Sequence, residues 1–347
     1  MSMLSPHVSA EKHGVLGLLT LRRPAALNAL DLGMVQALTA ALDAWAADDA
    51  VKLVAIRGEG PRAFCAGGDI RAWVALGPEA ALAFLRAEYR LNHRIATYPK
   101  PFVALMHGVT MGGGAGLSVH AKYRLADASL VFAMPETAIG FVPDIGSTWF
   151  LPRCPDEIGL YLALTAGRIG QGDAIAAGLV DRAVALADFD TLLDRLAGGG
   201  KIARAIDAVA ARPAPAVLAP QRARIAALFS AASVEAVLER LARDGGAFAR
   251  ETAARIRGNS PTSLKLAFAL LRRGASLSLQ ECLAQEYAAA AHLFSRPDLK
   301  EGVRAAVIDK DRNPQWQPSA LAAVTDGEVA SFMTQPAAEV PPALSFE

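Results

Sequence analysis

The segment His107–His120 reads HGVTMGGGAGLSVH and follows the apolar PFVALM of Pro101–Met106. From Pro101 to Val119 the chain is largely apolar and nearly long enough to cross a bilayer. It nevertheless carries His107 and glycines at 108, 112, 113, 114 and 116. Glycine removes the side chains where a strand must turn tightly, so the pattern reads as a buried strand, a turn and a helix starting over Gly113–Ala121. The same alternation recurs on both sides. Val15–Leu21 (VLGLLTL), Lys52–Gly58 (KLVAIRG) and Ser129–Ala133 (SLVFA) read as strands, while Gly33–Ala47 and Pro78–Thr97 have helical spacing. Repeated strand and helix cycles imply an α/β core whose helices cover its sheets.

From Glu157 onward, beginning with EIGLYLALT, the signal turns helical. A Pro-bearing linker, Arg212–Pro220, precedes a helical stretch over Gln221–Leu241, and Ser260 is a candidate N-cap with Pro261 in the first turn. Thr325–Glu347 is Pro/Ala-rich without periodicity. The expected division is a core over 1–200, a helical insertion over 201–258, and a C-terminal helical region with its tail over 259–347. No internal repeat is visible.

The 347 residues, 53% hydrophobic, suffice for a sizeable core, and 35 basic against 34 acidic side chains leave no charge excess. Nucleic acid is therefore not an expected partner, and neither is a membrane. Cys65, Cys154 and Cys282 lie far apart without CxxC spacing, which argues against a disulfide framework or a zinc site and for a reduced compartment. The start, MSMLSPHVSAEKHG, has neither an apolar secretory core nor an Arg-rich amphipathic character, so a cytoplasmic location is expected.

Chemistry concentrates in a few places. The run Met111–Gly116 lacks the Lys-Ser/Thr of a P-loop and the spacing of a dinucleotide fold; what it offers is exposed amides at a helix start, suited to an anionic oxygen. A second glycine pair lies in FCAGGDI (Phe64–Ile70), where Asp69 is also placed to cap the next helix. Two such loops can each give one N–H to the same acyl oxygen. Glu136 and Asp144, in MPETAIGFVPDIG, are carboxylates with apolar flanks, and desolvation would raise their proton affinity toward that of a base. His107, His120 and Ser118 lack the GxSxG elbow and read as core residues, as do Trp73, Phe84, Tyr89 and Tyr98. No metal or redox cofactor is expected, since no His, Cys and carboxylate cluster has ligand spacing.

FCAGGDI, HGVTMGGGAG, MPETAIG and LRRPAALNAL (Leu21–Leu30) resemble the enoyl-CoA hydratase/isomerase, or crotonase, superfamily over residues 10 to 185. GGDIR (Gly67–Arg71), MPETAIG with the PDIG that follows it, SPTSLK (Ser260–Lys265) and EGVRAAVIDKDRNPQW (Glu301–Trp316) resemble its 3-hydroxyisobutyryl-CoA hydrolase branch. The resemblance implies a repeated ββα spiral core with a helical C-terminal region, and hydrolysis of 3-hydroxyisobutyryl-CoA, with 3-hydroxypropionyl-CoA as a further candidate, in valine degradation. It implies an oxyanion hole from the amides of Gly68 and Gly113, and a CoA border of Ala26, Leu27, Ala66, Gly68, Asp69 and Ile70. Glu136 would be the principal catalytic carboxylate, Asp144 would assist at the substrate hydroxyl or leaving group, and Glu88 would shape the pocket.

Two departures matter. Hydrating crotonases commonly carry one glutamate at the position of Gly116 and another at that of Glu136, and only the second is present here. Hydration needs paired acid/base groups around one water, whereas thioester hydrolysis needs one base or nucleophile plus oxyanion stabilisation. Ala25 stands where many crotonases have a basic residue before ALNAL, with Arg22 and Arg23 as candidate substitutes. An enoyl-CoA hydratase or isomerase and a non-catalytic acyl-CoA-binding protein are the alternatives. The family often forms trimers, while the long C-terminal half offers self-coverage within one chain, so assembly as a homo-oligomer stays open.

Overall fold

A computed structural model describes residues 5–334 and 344–346. Its strands are β1 Val8–His13, β2 Leu16–Leu21, β3 Leu53–Gly58, β4 Ala63–Cys65, β5 Phe102–Met106, β6 Val109–Met111, β7 Tyr123–Ala126, β8 Val131–Ala133, β9 Arg168–Ile169 and β10 Arg182–Ala183. They form one sheet in the order β1-β2-β3-β5-β7-β10 and a smaller one in the order β4-β6-β8-β9. Successive pairs β3/β4, β5/β6 and β7/β8 each send their first strand to the large sheet and their second to the small one. Helices follow β4 and β6, so the repeat is ββα, the α/β arrangement that the sequence resemblance implies.

Two compact units can be separated. One comprises Met1–Gly68, Ala87–Phe132 and Ile169–Ala219; the other comprises Asp69–Arg86, Ala133–Arg168 and Pro220–Glu347. Both are discontinuous in sequence, unlike the consecutive segments 1–200, 201–258 and 259–347.

In the first unit β2 and β5 are buried along their whole length, as expected where parallel strands are covered on both faces. Leu16, Leu18, Leu53, Val103, Leu105 and Leu125 pack with Phe189, Leu192, Leu193 and Leu196 of the helix Phe189–Ala197. Helix Leu32–Ala46 buries Met34, Val35, Leu38 and Trp45, and Gly17 makes room for that indole: a Cβ there would lie 2.6 Å from Trp45 Cε3. Strand β1 escapes the sequence pattern because it is an antiparallel edge strand, paired only with β2, whose residues after Ser9 are exposed.

The second unit is mainly helical. Ser260 caps Pro261–Gly274 by accepting from Ser263 N–H at 3.2 Å, with Pro261 in the first turn. Asp69 caps Ile70–Leu76 through Ala72 N–H. The stretch expected as one helix over Gln221–Leu241 is two, Arg222–Phe229 and Val234–Asp244, because extended Ser233 caps the second through Ala236 N–H. The aperiodic tail also begins with a helix, Asp326–Phe332, capped by Thr325; positions 335–343 and 347 lie outside the described residues. No described helix is long and apolar enough to cross a membrane.

Cys65, Cys154 and Cys282 are buried thiols. Burial pushes Cys65 up to about 12 and Cys282 up to about 11, which suppresses the reactive thiolate. A water-soluble thiol reagent is therefore expected to leave both unmodified in the native protein and to label both on denaturation, with sites assigned by peptide mass; rapid native labelling of either would contradict this packing.

Candidate active site

In the first unit β4 and β6 are parallel neighbours, so the loops that follow them leave the small sheet side by side. These are the two glycine loops. Gly67 has φ +104, and a Cβ on it would lie 3.1 Å from the Met111 carbonyl and 3.4 Å from Gly113 N. A Cβ on Gly114 would overlap the Cys65 carbonyl. The two backbones thus touch at a spacing that only glycine permits. Gly113 opens the helix Gly113–Ser118, where the first amides have no intrahelical acceptor.

Other candidates gather at the same place. Ala66 N–H donates to Leu27 O at 3.0 Å and Leu30 N–H to Gly67 O at 2.8 Å, which lays Leu27–Leu30 along the Ala66–Gly68 turn. Leu27 and Asn28 both have positive φ, 53° and 56°. Asn28 stabilises that bend: buried completely, it donates to Glu59 O and Ala63 O and accepts from Arg23 N–H. Glu88, 1% exposed on the helix Pro78–Ala96, reaches Gly113 so closely that a Cβ there would overlap Glu88 Oε1. Gly68, Gly113, Glu88, Ala26, Leu27 and Ala66 therefore form one neighbourhood. Of the candidate phosphate contacts, Arg22 pairs with Glu59 and Arg23 donates to Ala29 O. A cavity of about 740 Å³ in this unit, lined by Arg22, Arg57, His107, Phe189 and Asp190, holds none of the oxyanion-hole, CoA-border or carboxylate candidates.

The second unit carries Glu136 and Asp144, together with Asp69 and Ile70 at the start of Ile70–Leu76. Glu136 begins the 3-10 turn Glu136–Ile139 and is 6% exposed; Asp144 is 4% exposed. The turn bearing Glu136 is clamped on several sides. Thr137 Oγ1 donates to Ala163 O at 2.8 Å, Ser260 N–H donates to Thr137 O, and Asn259 Nδ2 donates to Thr137 Oγ1 and Leu164 O. Gly140, at φ +75, lies against the Asp298 carbonyl. Asp144 precedes Ile145 and Gly146, which have φ of 58° and 82°. Behind that bend Glu286 accepts from Gly146 N–H at 2.7 Å, Thr148 N–H at 2.8 Å and Thr148 Oγ1 at 2.7 Å.

The residues read as packing behave so. Ser118 Oγ donates to Gly114 O and Ala115 O within its own helix, which leaves no activated hydroxyl. His107 Nε2 bonds Gly60 O, its ring lies edge-on to Phe189, and burial lowers its proton affinity. Trp73 packs on Phe84, Phe141 and Phe294, and Tyr98 donates to Leu42 O. Asn28, Thr148 and Glu286 escaped sequence reading. The available hint for Glu286 was an acid inside the apolar CLAQEYAAAAHL, on a helix face otherwise bearing Cys282, Leu283, Ala289 and Ala290.

The model of the enoyl-CoA hydratase/isomerase family matches residues 16–333. A relative from Xenopus tropicalis named 3-hydroxyisobutyryl-CoA hydrolase, mitochondrial, is 45% identical over 93% of this chain and 87% of its own. The Homo sapiens protein of that name is 40% identical with the same coverage, 93% and 87%. Among solved structures, a carnitinyl-CoA dehydratase from Mycobacterium thermoresistibile superposes with a TM-score of 0.93 at 37% identity, covering 99% of both chains. An enoyl-CoA hydratase from Rhodobacter sphaeroides gives 0.87 at 42% identity, covering 95% of this chain and 97% of its own. The cytoplasmic location expected from the first residues is overturned by the relatives' names, which place those proteins in the mitochondrion. Fold and thioester chemistry are the same in either compartment, so neither informed that expectation.

Burial pushes the Glu286 carboxyl up to about 8, against the pull of its three hydrogen bonds and with the nearby Asp144 charge adding to the rise. Between the ordinary glutamate value of 4.5 and about 8, the folded chain holds a proton that the unfolded chain has lost. This group's contribution to stability therefore falls as pH rises through that window, by up to about 1.4 kcal/mol per pH unit. Thermal unfolding should show the margin of wild type over Glu286→Gln shrinking from pH 4.5 to 8; a margin that widens with pH would contradict it.

Proposed function

The chain belongs to the enoyl-CoA hydratase/isomerase family, and we propose that it hydrolyses the thioester of 3-hydroxyisobutyryl-CoA to the free hydroxy acid and CoA. The observation that carries this reading is Gly116. It lies buried inside the helix Gly113–Ser118, and with no side chain it cannot be the first of the two glutamates that hydration uses. Glu136 and Asp144, both buried on clamped turns, keep the carboxylates that hydrolysis requires.

In the proposed reaction the thioester oxygen accepts from the Gly68 and Gly113 amides. Fixed N–H dipoles aimed at a developing oxyanion are worth on the order of 3–4 kcal/mol each when water is excluded. Glu136 supplies the nucleophilic step by one of two balanced routes. As a base it takes a proton from water while the hydroxide bonds to the carbonyl carbon. As a nucleophile its carboxylate bonds to that carbon and forms an anhydride, which water then opens. In both, the C–S bond breaks and the CoA sulfur leaves with the electron pair and gains a proton. Asp144 serves the substrate hydroxyl or the leaving sulfur. Ala26, Leu27, Ala66, Gly68, Asp69 and Ile70 border the CoA moiety, and Glu88 flanks Gly113 in the acyl pocket. The chemistry asks for no cofactor beyond the CoA of the substrate. We place the reaction in valine degradation, as the family resemblance implies.

The names of the solved relatives support a second reading, hydration or dehydration of an acyl-CoA. Free-thiol release from 3-hydroxyisobutyryl-CoA and loss of enoyl absorbance from crotonyl-CoA separate the two. Rapid thiol release is expected, falling by about 10³-fold in Glu136→Gln and by about 10²-fold in Gly113→Ala, whose methyl group would displace Glu88. Crotonyl-CoA consumption without thiol release would make the hydratase reading correct.

A further inference from the structure

We propose that Glu286 is a positioning residue for Asp144: its buried carboxyl group holds the Asp144–Thr148 bend in the conformation that presents Asp144, by accepting from Gly146 N–H, Thr148 N–H and Thr148 Oγ1. The inference rests on the role given to Asp144 above, and it concerns groups of a single unit.

The bend needs such a support. Ile145, β-branched, has φ +58, a strained region for such a residue that persists only where its surroundings over-determine it. Asp144 is the residue before it, so relaxation of Ile145 would swing the carboxylate away. Glu286 accepts from Gly146, the residue immediately after Ile145, and from Thr148, three positions after Ile145. Glu286 itself is fully buried in the middle of the helix Leu279–Leu293, an anchor that cannot follow a moving loop. The neighbouring Gln285 completes the arrangement. Its Nε2 donates to Thr148 Oγ1 at 3.0 Å and to Leu270 O at 3.2 Å, so the hydroxyl accepts from Gln285 and donates to Glu286.

The partners also select a carboxyl group. All three groups facing Glu286 donate, and both oxygens of a carboxyl can accept from them. A glutamine would set an NH₂ against one of these donors. Sequestering an acid completely, beside another carboxylate, is unfavourable unless its bonds compensate. That cost makes plain packing a poor explanation for an acid here. The competing explanation is that Glu286 only caps the short helix Ser147–Phe150, in which case its loss lowers stability and leaves turnover alone.

Steady-state thioester hydrolysis and thermal unfolding of the full chain decide between them, using Glu286→Gln, Asp144→Asn and the double variant. Glu286→Gln should lower kcat roughly 10- to 100-fold with KM within about threefold, as expected for a displaced catalytic group. Its further effect in the Asp144→Asn background should be small, since the group it positions is already gone. A fall in Tm with kcat intact, or a kcat loss of the same size in both backgrounds, overturns the proposal. If Asp144→Asn alone leaves kcat unchanged, the role of Asp144 fails and the proposal with it, an outcome distinct from failure of the positioning alone. Should Glu286→Gln not fold, Thr148→Ala removes one donor: a smaller kcat loss restored by Thr148→Ser supports the proposal, and unchanged kcat in Thr148→Ala overturns it.

Discussion

The contact between the Ala66–Gly68 turn and the Gly112–Gly114 turn is the constraint on which the first unit depends. It requires β4 and β6 to be parallel neighbours, so that successive loops leave the sheet together. It also requires glycine where a methyl group would strike a backbone carbonyl or amide, at Gly67 and Gly114. The sequential use of one strand in the large sheet and the next in the small one delivers that arrangement. The large sheet, buried through β2 and β5, supplies the rigidity. Amides held this way need no reorganisation when charge develops on a bound oxygen, which is the condition for electrostatic catalysis.

The carboxylates follow a different logic. Glu136 and Asp144 sit on short irregular turns, and irregular backbone must be satisfied by bonds from outside the segment. Thr137, Asn259 and Ser260 do this for one turn, and Glu286 with Gln285 for the other. Much of the helical C-terminal half can be understood as a scaffold for these few bonds. Positive φ at Ile145 shows that the bend is not the chain's intrinsic preference.

Much of the fold was legible because buried parallel strands read as continuous apolar runs, as in PFVALM, and because glycines, Ser260 and Pro261 punctuate helices by local chemistry. Strand β1 was illegible since its pairing, not its side chains, makes it a strand. The break at Ser233 was hidden inside a stretch with good helical residues on both sides. At the site, the glycine loops were legible because few structures need so many glycines together. The support from Asn28, Thr148 and Glu286 was not, because it lies in three-dimensional pairings such as Glu286 with Thr148 that no periodicity records.

The central claim, that the glycine amides polarise a bound thioester, is tested most directly by vibrational spectroscopy. The carbonyl stretch of ¹³C-labelled 3-hydroxyisobutyryl-CoA would be recorded on Glu136→Gln, whose turnover is expected to be about 10³-fold slower. Two backbone donors should shift the stretch to lower frequency than in water, and Gly113→Ala in the same background, whose methyl group displaces Glu88 beside one donor, should reduce the shift. A bound carbonyl that absorbs where the free one does would contradict the claim.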